Sequence, residues 1–498
     1  MILELLPLIC HLTFADPPKI TISKETTYIT GPLRADGMVD YPAGYNAYFK
    51  DVNPEENAAA LLAQALGPKV APKKFVKEYF RLLGMDPPVD DAKQAVDVVT
   101  FLEQRGIPWT DETSNRYDQF VSNPWSRKAH SDFDDLLRRN SDAIELFSQA
   151  SRKSKYFAPV CADNDPPTLF LWNAPIAQDS RTGARHLLLR AMSKLHDGDA
   201  EGAVEDLEVC YRISQLLGSN RRFLVEGLIG SAIRSFALNA ERAIAFSDCL
   251  SPEIIDRRVK RLASMTSPID VTKSLDVPER LAILSATHHA LVGDPKKAFG
   301  ADPQLAKSMR LISLYELDGD EVLRTINRFY DRMVAAVPQS DASYESPLGI
   351  VLNDLEKWKR EWENDAGWLL AFVGTESHPK GRRGALGKRV GELILLMTTP
   401  QTGSMIAVNF NVKAKERLTI LAYRLTQWKK QHGRYPDQLD AKQLNVSGEV
   451  LMDPHADKPF AYRTKDGKQQ IVSYWLDRKE QKKPNPVRNP NDSILELP

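Results

Sequence analysis

Residues 182–217 read TGARHLLLRAMSKLHDGDAEGAVEDLEVCYRISQLL and predict two helices joined by a tight turn. The first helix brings Leu187, Ala191 and Leu195 to one face, because residues four apart lie one above the other along a helix. The motif DGD at 197–199 supplies the turn. The second helix carries an apolar face formed by Ala203, Leu207, Cys210 and Ile213.

Small side chains at the crossing point make this hairpin similar to a tetratricopeptide-type helical unit. Ala191, Gly198 and the series Ala203, Leu207 and Cys210 carry the resemblance, because such units place small residues where two helices approach closely. A solenoid needs three or more stacked units to bury a continuous core, and one unit is legible in this sequence. We therefore predict a single hairpin within an irregular helical array, with a true tetratricopeptide-like repeat as the alternative.

Helical periodicity continues on both sides of the hairpin and defines the fold class. Apolar residues recur at helical spacing within 73–150, and the later periodic segments are 223–246, 252–265, 277–291, 303–315 and 321–337. About two-thirds of the chain is expected to be helical, against roughly one-third in an average globular protein. The predicted fold is therefore mainly α, with an irregular helical array over 91–405 and a small C-terminal α+β module.

The N-terminal module, residues 16–90, is expected to hold a short strand and a capped helix. KITISKETTY at 19–28 alternates apolar and polar side chains, which suits a half-exposed strand. A helix follows at 53–66, where Asn53 can cap the first turn and GP at 67–68 ends it.

The first fifteen residues predict a secretory signal peptide. Almost all of 1–15 is apolar, and TFA at 13–15 offers the small residues that a signal peptidase reads. This pattern predicts an extracytoplasmic protein, either periplasmic or secreted. Because Glu4 is the only charged residue and no basic residue precedes the apolar core, a start further upstream or a buried helix or strand are the alternatives.

The charge balance and the cysteine count exclude several protein classes. The 66 basic residues equal the 66 acidic residues, so the chain has no global basic field and nucleic acid is not an expected partner. No apolar stretch after the N-terminal segment is long enough to span a bilayer. The four cysteines, Cys10, Cys161, Cys210 and Cys249, form no CxxC pair, which leaves one disulfide at most or buried thiols.

The C-terminal segment 406–476 is expected to combine a helix with two short strands. An amphipathic helix over 412–432 ends at HGRYP, residues 432–436. DG at 466–467 then predicts the turn of a β-hairpin. Residues 477–498 are charged and proline-bearing, which predicts a flexible tail.

This C-terminal segment is similar to the globular part of type II secretion pseudopilins. The resemblance rests on the long helix, HGRYP, the DP loop at 453–454, the motif PFAYR at 459–463 and a final strand at 470–475. The sequence departs from that family because 398–403 interrupts the apolar N-terminal half of the helix and no calcium-binding acidic loop follows Trp475. The resemblance therefore implies a structural module and not a working pilus subunit.

A second resemblance begins at the N-terminal end. YITGPL at 28–33, DGMVDY at 36–41, PEENAA at 54–59 and ALGP at 65–68 resemble the start of large planctomycete proteins that also tend to end in the HGRYP and DP module. That family has no established activity, so the resemblance implies export and no particular reaction.

Two groups of metal-ligating residue types occur in the sequence, and each has a structural alternative. Asp453, His455 and Asp457 alternate in a loop and could face one metal ion, but a turn in which aspartate caps backbone amides is the preferred interpretation. His288 and His289 are adjacent, so their side chains diverge on a helix and cannot chelate one ion together.

The glycine-rich and cation-rich stretch 380–389 fails the spacing of a phosphate-binding loop. Five residues separate Gly381 from Gly387, and Arg389 follows Lys388 where serine or threonine is required. Its five cations could bind an anionic polymer or a membrane surface. A mobile solvated loop is the preferred interpretation, since no aromatic side chain is interleaved to stack on bases.

No residue is assigned a catalytic, cofactor-binding or metal-ligating role, because neither HExxH nor GxSxG occurs in the sequence. The first hypothesis is a non-enzymatic exported protein that binds or scaffolds a protein or envelope component through its helical surface. The alternative is an extracytoplasmic hydrolase acting on a polymer, with a cleft lined by the Tyr and Trp side chains of 156–172. A third hypothesis is an envelope or secretion-assembly component.

Overall fold

A computed structural model gives the architecture of the chain. It describes residues 17–89, 93–162, 167–219, 222–247, 249–293, 295–299, 317–337, 347–363, 378–399, 402–456, 458–465, 467–473 and 494–498. These residues are mainly helical, with small antiparallel sheets at the C-terminal end, which confirms the predicted fold class. The predicted signal peptide 1–15, the predicted helix 303–315 and residues 477–493 lie outside the described residues.

The helices and strands are numbered in chain order. The helices are α1 Tyr41–Ala47, α2 Ala58–Leu66, α3 Val76–Leu83, α4 Val98–Glu103, α5 Asp111–Phe120, α6 Ser131–Arg139, α7 Ser141–Ser151, α8 Pro175–His196, α9 Ala200–Gly218, α10 Leu224–Ala245, α11 Pro252–Ala263, α12 Val271–Ser274, α13 Arg280–Val292, α14 Pro295–Phe299, α15 Gly319–Ala336, α16 Pro347–Glu363, α17 Gly381–Thr398 and α18 Thr402–His432. A π turn, Leu275–Glu279, joins α12 to α13. The strands are β1 Met452–Asp453, β2 Lys458–Pro459, β3 Ala461–Lys465, β4 Lys468–Val472 and β5 Ile494–Glu496.

The central hairpin, α8 and α9, forms as the periodicity predicts. Gly198 in its turn has a φ of 84°, a left-handed conformation that favours glycine. Asp199 caps α9 by accepting a hydrogen bond from Gly202 N at 2.8 Å. α10 packs across both helices, and a Cβ on its Gly230 would lie 2.6 Å from the carbonyl oxygen of Ser214. The backbones of α9 and α10 are therefore in direct contact where the two helices cross.

α18 is a helix of 31 residues that joins the C-terminal strands to the array. It packs against α10 and α11, and its Leu418 and Tyr423 belong to the same hydrophobic cluster as Leu207 of the hairpin and Ile471 of β4. The predicted boundary at 405–406 falls inside this helix, so the strands and the array share one core. A second cluster unites α1, α13, α15 and α17.

Two N-terminal predictions are corrected by the structure. Residues 19–28, all of them described, form no strand, because Thr27 N donates to the Ser23 carbonyl at 2.9 Å and Ser23 N donates to Thr27 Oγ1 at 3.2 Å. Such local bonds compete with strand pairing. The helix predicted over 53–66 is divided at Asn57 into a short 3-10 turn and α2, since the side chain of Asn57 caps α2.

The C-terminal strands confirm the β-hairpin and correct the tail. β3 and β4 are antiparallel, with Ala461 opposite Val472. β5 then pairs with β4, and Leu495 and Leu497 are buried. The end of the predicted flexible tail is therefore part of the sheet, because these two leucines alternate with Glu496 and face the core.

Candidate functional site

Two adjoining recesses form a groove on the helical array. Their volumes are about 410 and about 700 Å³, and both linings include Gln215, Leu216 and Thr266. These shared residues come from the C-terminal half of α9 and from the loop between α11 and α12. We call the two recesses together the α9 groove.

Among the described residues, the smaller recess is lined by basic side chains and by no acidic one, and we call it the cationic recess. Its basic residues are Arg152, Lys153, Arg212, Arg234 and Arg261. Behind the lining, Glu208 pairs with Arg212 at 3.3 Å and with Arg261 at 2.7 Å, and Glu416 pairs with Arg234 at 3.1 Å. Five cations face two carboxylates, so the recess carries a positive potential.

Arg234 of α10 forms the floor of the cationic recess. It is 1% exposed, and it donates from Nη1 to the Thr266 carbonyl at 2.6 Å and from Nη2 to Gln215 Oε1 at 2.7 Å. Burial lowers the pKa of Arg234, and the charge of Glu416 opposes that shift. The guanidinium therefore holds Gln215 and Thr266, the two polar residues that line both recesses.

The larger recess adds apolar surface to the groove, and we call it the mixed recess. Its apolar lining includes Ile269, Val271, Val337 and Phe410. Asn409 of α18 lies among them and donates from Nδ2 to the Ile269 carbonyl at 3.3 Å. The α9 groove therefore changes from cationic to partly apolar along its length.

Gly218 lets one wall of the groove lie directly on the end of α9. A Cβ at this position would fall 1.5 Å from the carbonyl oxygen of Pro268. Asp270 N also donates to the Gly218 carbonyl at 3.1 Å. The absence of a side chain at Gly218 is therefore required for the loop between α11 and α12 to reach its place.

The loop that begins at Asp453 is a turn, as the preferred interpretation predicted. Asp453 is fully buried and accepts hydrogen bonds from His455 N at 2.9 Å and from Ser473 Oγ at 2.7 Å. Asp457 lies outside the described residues. In the part of the chain that the structure describes, no group of three or more His, Cys, Asp and Glu side chains could hold a metal ion.

The interpretation of 380–389 as a mobile solvated loop is wrong, because residues 381–389 form the first turns of α17. A Cβ at Gly387 would lie 2.4 Å from the carbonyl oxygen of Asp318, at the start of α15. Lys380 Nζ pairs with the Asp318 carboxylate at 2.7 Å. The close packing of α17 on the start of α15 explains Gly387. The ion pair with Asp318 compensates the charge of Lys380, one of the five cations of the stretch.

Two further groups of candidate residues form no site. The rings of His288 and His289 stack with centroids 6.2 Å apart, and burial lowers the pKa of His288 to about 4. Cys161, Cys210 and Cys249 are free thiols, the first two buried and the third exposed. The histidines and the two buried cysteines therefore contribute to packing.

The structure brings together candidate residues for which the sequence gave no local signal. Tyr156 and Phe157, from the predicted cleft at 156–172, are buried in the hydrophobic clusters. The cations of the α9 groove are as distant in the chain as Arg152 and Arg261. Folding alone brings them together, so no motif could have indicated the groove.

Comparisons of this chain with protein-family models, with curated proteins and with solved structures return no match. The resemblances to pseudopilins, to tetratricopeptide units and to planctomycete proteins therefore stay predictions. None of the described helices combines the length and the apolar character needed to cross a bilayer.

Proposed function

We propose that this chain is a non-enzymatic, exported binding protein that holds an acidic segment of a partner protein in the α9 groove. The observation that carries the proposal is the cationic recess, in which five basic side chains face two carboxylates. Complementary charge selects partners and speeds their encounter. The signal peptide predicted over 1–15 supports export.

The lining of the groove supports an extended peptide as its ligand. Beyond the cationic recess, Val271 and Phe410 can receive apolar side chains of the same segment. None of the described lining residues of the cationic recess is aromatic. Nucleic-acid bases would therefore find no ring to stack on there.

Binding of a fluorescein-labelled peptide tests the proposal. The peptide carries aspartates and glutamates at one end and leucines at the other, and fluorescence anisotropy gives its Kd. We expect binding that weakens as salt is added, because the attraction is electrostatic. The double variant Arg152→Gln with Arg212→Gln should weaken binding about tenfold, since each charge at the rim contributes up to about 1 kcal/mol.

The matched control is Lys74→Gln with Lys77→Gln, which removes two exposed charges near α3 that do not line the groove. This control should bind the peptide as the parent does. A peptide with lysines in place of its acidic residues should not bind. Equal affinities for the two double variants, or a preference for single-stranded DNA or inorganic phosphate over the acidic peptide, would overturn the proposal.

A further inference from the structure

The start of α10 lies in a crowded polar site inside the protein. Arg222, Glu226, Tyr79 and Tyr156 are each at most 3% exposed. The structure gives no hydrogen-bond partner to Glu226 Oε1, to Arg222 Nε and Nη1, or to either tyrosine hydroxyl. Buried polar atoms nearly always have partners, so several atoms without a partner in one place are unusual. Glu279 is the neighbouring carboxylate and belongs to the same group of residues. We call this group the α10 cluster.

Two carboxylates of the α10 cluster hold consecutive amides at the start of the helix. Glu226 Oε2 accepts from Phe223 N at 3.2 Å, and Glu279 Oε1 accepts from Leu224 N at 2.8 Å. Glu226 belongs to α10, whereas Glu279 is the last residue of the π turn. The π turn is thus fastened to α10 through a carboxylate that lies next to a second carboxylate. Such turns within helices are frequent at functional sites.

The charges of the α10 cluster do not balance when both carboxylates are ionised. The titratable groups that face them are Arg222, Tyr45, Tyr79, Tyr156 and Tyr330. Among these described groups Arg222 is the only cation, and its guanidinium lies 4.1 Å from the centroid of the Phe49 ring. Arg280, which also lies near Tyr330, is paired with Asp276 at 3.4 Å and with Asp331 at 2.6 Å. One cation can compensate one carboxylate, so the second ionisation leaves a buried negative charge without a partner.

Burial accordingly favours the protonated forms of both acids. It raises the pKa of Glu226 to about 7, although the charge of Arg222 acts in the opposite direction. It also raises the pKa of Glu279 to about 7, against the effect of the Leu224 amide. The Tyr156 hydroxyl also faces Glu226 and acts on its pKa in the same direction as Arg222. The acids therefore change charge within the neutral range.

The α10 cluster is connected to the α9 groove by a short path. Asp270, Val271 and Lys273 line the mixed recess, and α12 runs from there directly into the π turn that ends at Glu279. On the other side, a Cβ at Gly227 of α10 would lie 3.0 Å from the side chain of Ile269, which also lines the recess. A change in how α10 holds the π turn therefore reaches the wall of the groove.

We propose that Glu226 and Glu279 form a proton-operated latch that fastens the π turn to α10. By holding the π turn and α12, the latch determines how well the wall of the α9 groove is ordered. With a proton on at least one acid, Arg222 balances the cluster and the latch is closed. With both acids ionised, repulsion between them loosens the π turn and α12. The latch stands on the cluster itself, whereas its effect on ligand binding rests on the function proposed for the α9 groove.

The pH dependence of stability tests the latch without any ligand. Each pKa is raised in the folded state from an ordinary 4.5, so the stabilisation is fully present below about pH 4.5 and is lost as the pH rises through about 7. We expect the melting temperature to fall by several degrees between pH 5 and pH 8. Glu226→Gln and Glu279→Gln, which keep the acceptor oxygens, should each remove most of this fall, because Arg222 compensates the one carboxylate that remains.

The effect on the groove is measured with the fluorescein-labelled acidic peptide. Arginine and peptide carboxylate charges are constant between pH 6 and pH 8, so a change in affinity that disappears when both glutamates are replaced by glutamine reports the latch. We expect the Kd to rise about fivefold from pH 6 to pH 8 for the parent and to stay constant for the double variant Glu226→Gln with Glu279→Gln. Glu205→Gln, on the exposed side of α9, is the matched control and should behave as the parent.

The outcomes separate the two proposals. Melting profiles of both glutamine variants that run parallel to that of the parent would overturn the latch. Altered melting profiles with a Kd that does not change with pH in the parent would overturn the connection to the groove. Altered profiles with no peptide binding at any pH would support the latch and refute the proposed function.

Discussion

The hydroxyl of Tyr423 in α18 donates a hydrogen bond to Glu241 Oε1 in α10 at 3.0 Å, across 182 residues of chain. Glu241 is fully buried and also accepts from Arg258 Nε at 2.7 Å and from the Tyr211 hydroxyl. One carboxylate therefore ties α9, α10, α11 and α18 together. Its charge is accommodated in the interior because a guanidinium and two hydroxyls satisfy it.

Removing this charge should destabilise the protein far more than removing one of its hydroxyl partners. Glu241→Gln is expected to lower the free energy of unfolding by about 3 kcal/mol, because Arg258 is then a buried cation without its closest partner. Tyr423→Phe removes one hydrogen bond and should cost about 1 kcal/mol. Urea titration followed by the helical circular dichroism signal measures both losses.

The exposed Glu205→Gln on α9 is the control for the charge change and should stay within about 0.5 kcal/mol of the parent. Equal losses for Glu241→Gln and Tyr423→Phe would contradict the role assigned to the ion pair. The same conclusion would follow if Glu241→Gln were as mild as Glu205→Gln.

Asn57 should be the most sensitive polar position of the N-terminal module. Its Oδ1 accepts from Ala59 N at 3.1 Å and from Phe157 N at 2.8 Å, and its Nδ2 donates to the Phe157 carbonyl at 2.9 Å. Asn57→Ala removes a helix cap and two long-range hydrogen bonds, which should cost about 2–3 kcal/mol. Asn57→Ser keeps an acceptor for Ala59 N and should recover about 1 kcal/mol.

The urea midpoint of the two Asn57 variants separates the cap from the long-range bonds. If serine recovered nothing relative to alanine, the cap of α2 would contribute nothing measurable. If Asn57→Ala changed the midpoint no more than a surface substitution does, the junction between α2 and the segment at Phe157 would not depend on this side chain.

Helices with local start and stop signals could be predicted from the sequence. The central hairpin followed from the apolar spacing and from the turn at Gly198, and the C-terminal hairpin followed from DG at 466–467. The prediction of a strand at 19–28 was wrong, and the reason is again local. Hydrogen bonds between Ser23 and Thr27 stabilise a turn there, and the alternation of apolar residues does not report this competition.

The α9 groove could not be predicted, because its charge pattern exists only after folding. The basic stretch 380–389 is a concentration of cations in the sequence, yet its Lys380 is paired with Asp318 in the structure. Arg152 and Arg261, by contrast, belong to ordinary charged segments and converge on one recess. Equal totals of acidic and basic residues exclude a global field, but they permit a local excess such as this one.

The crossing of α9 and α10 should tolerate no side chain at Gly230. Alanine favours a helix over glycine by up to about 1 kcal/mol, but here its Cβ would lie 2.6 Å from the carbonyl oxygen of Ser214 on the neighbouring helix. Overpacking of this kind costs about 1–3 kcal/mol, so the clash should exceed the gain in propensity. We expect Gly230→Ala to lower the urea midpoint, with a net loss of about 1–2 kcal/mol.

Gly448→Ala provides the matched control for Gly230→Ala, because no atom lies within 4 Å of a Cβ at that position. It should leave the midpoint unchanged or raise it slightly, since alanine restricts the unfolded chain more than glycine does. A Gly230→Ala protein as stable as Gly448→Ala would show that α9 and α10 can separate at their crossing without loss. In that case the close approach at Ser214 would not be what holds the α9 side of the groove in place.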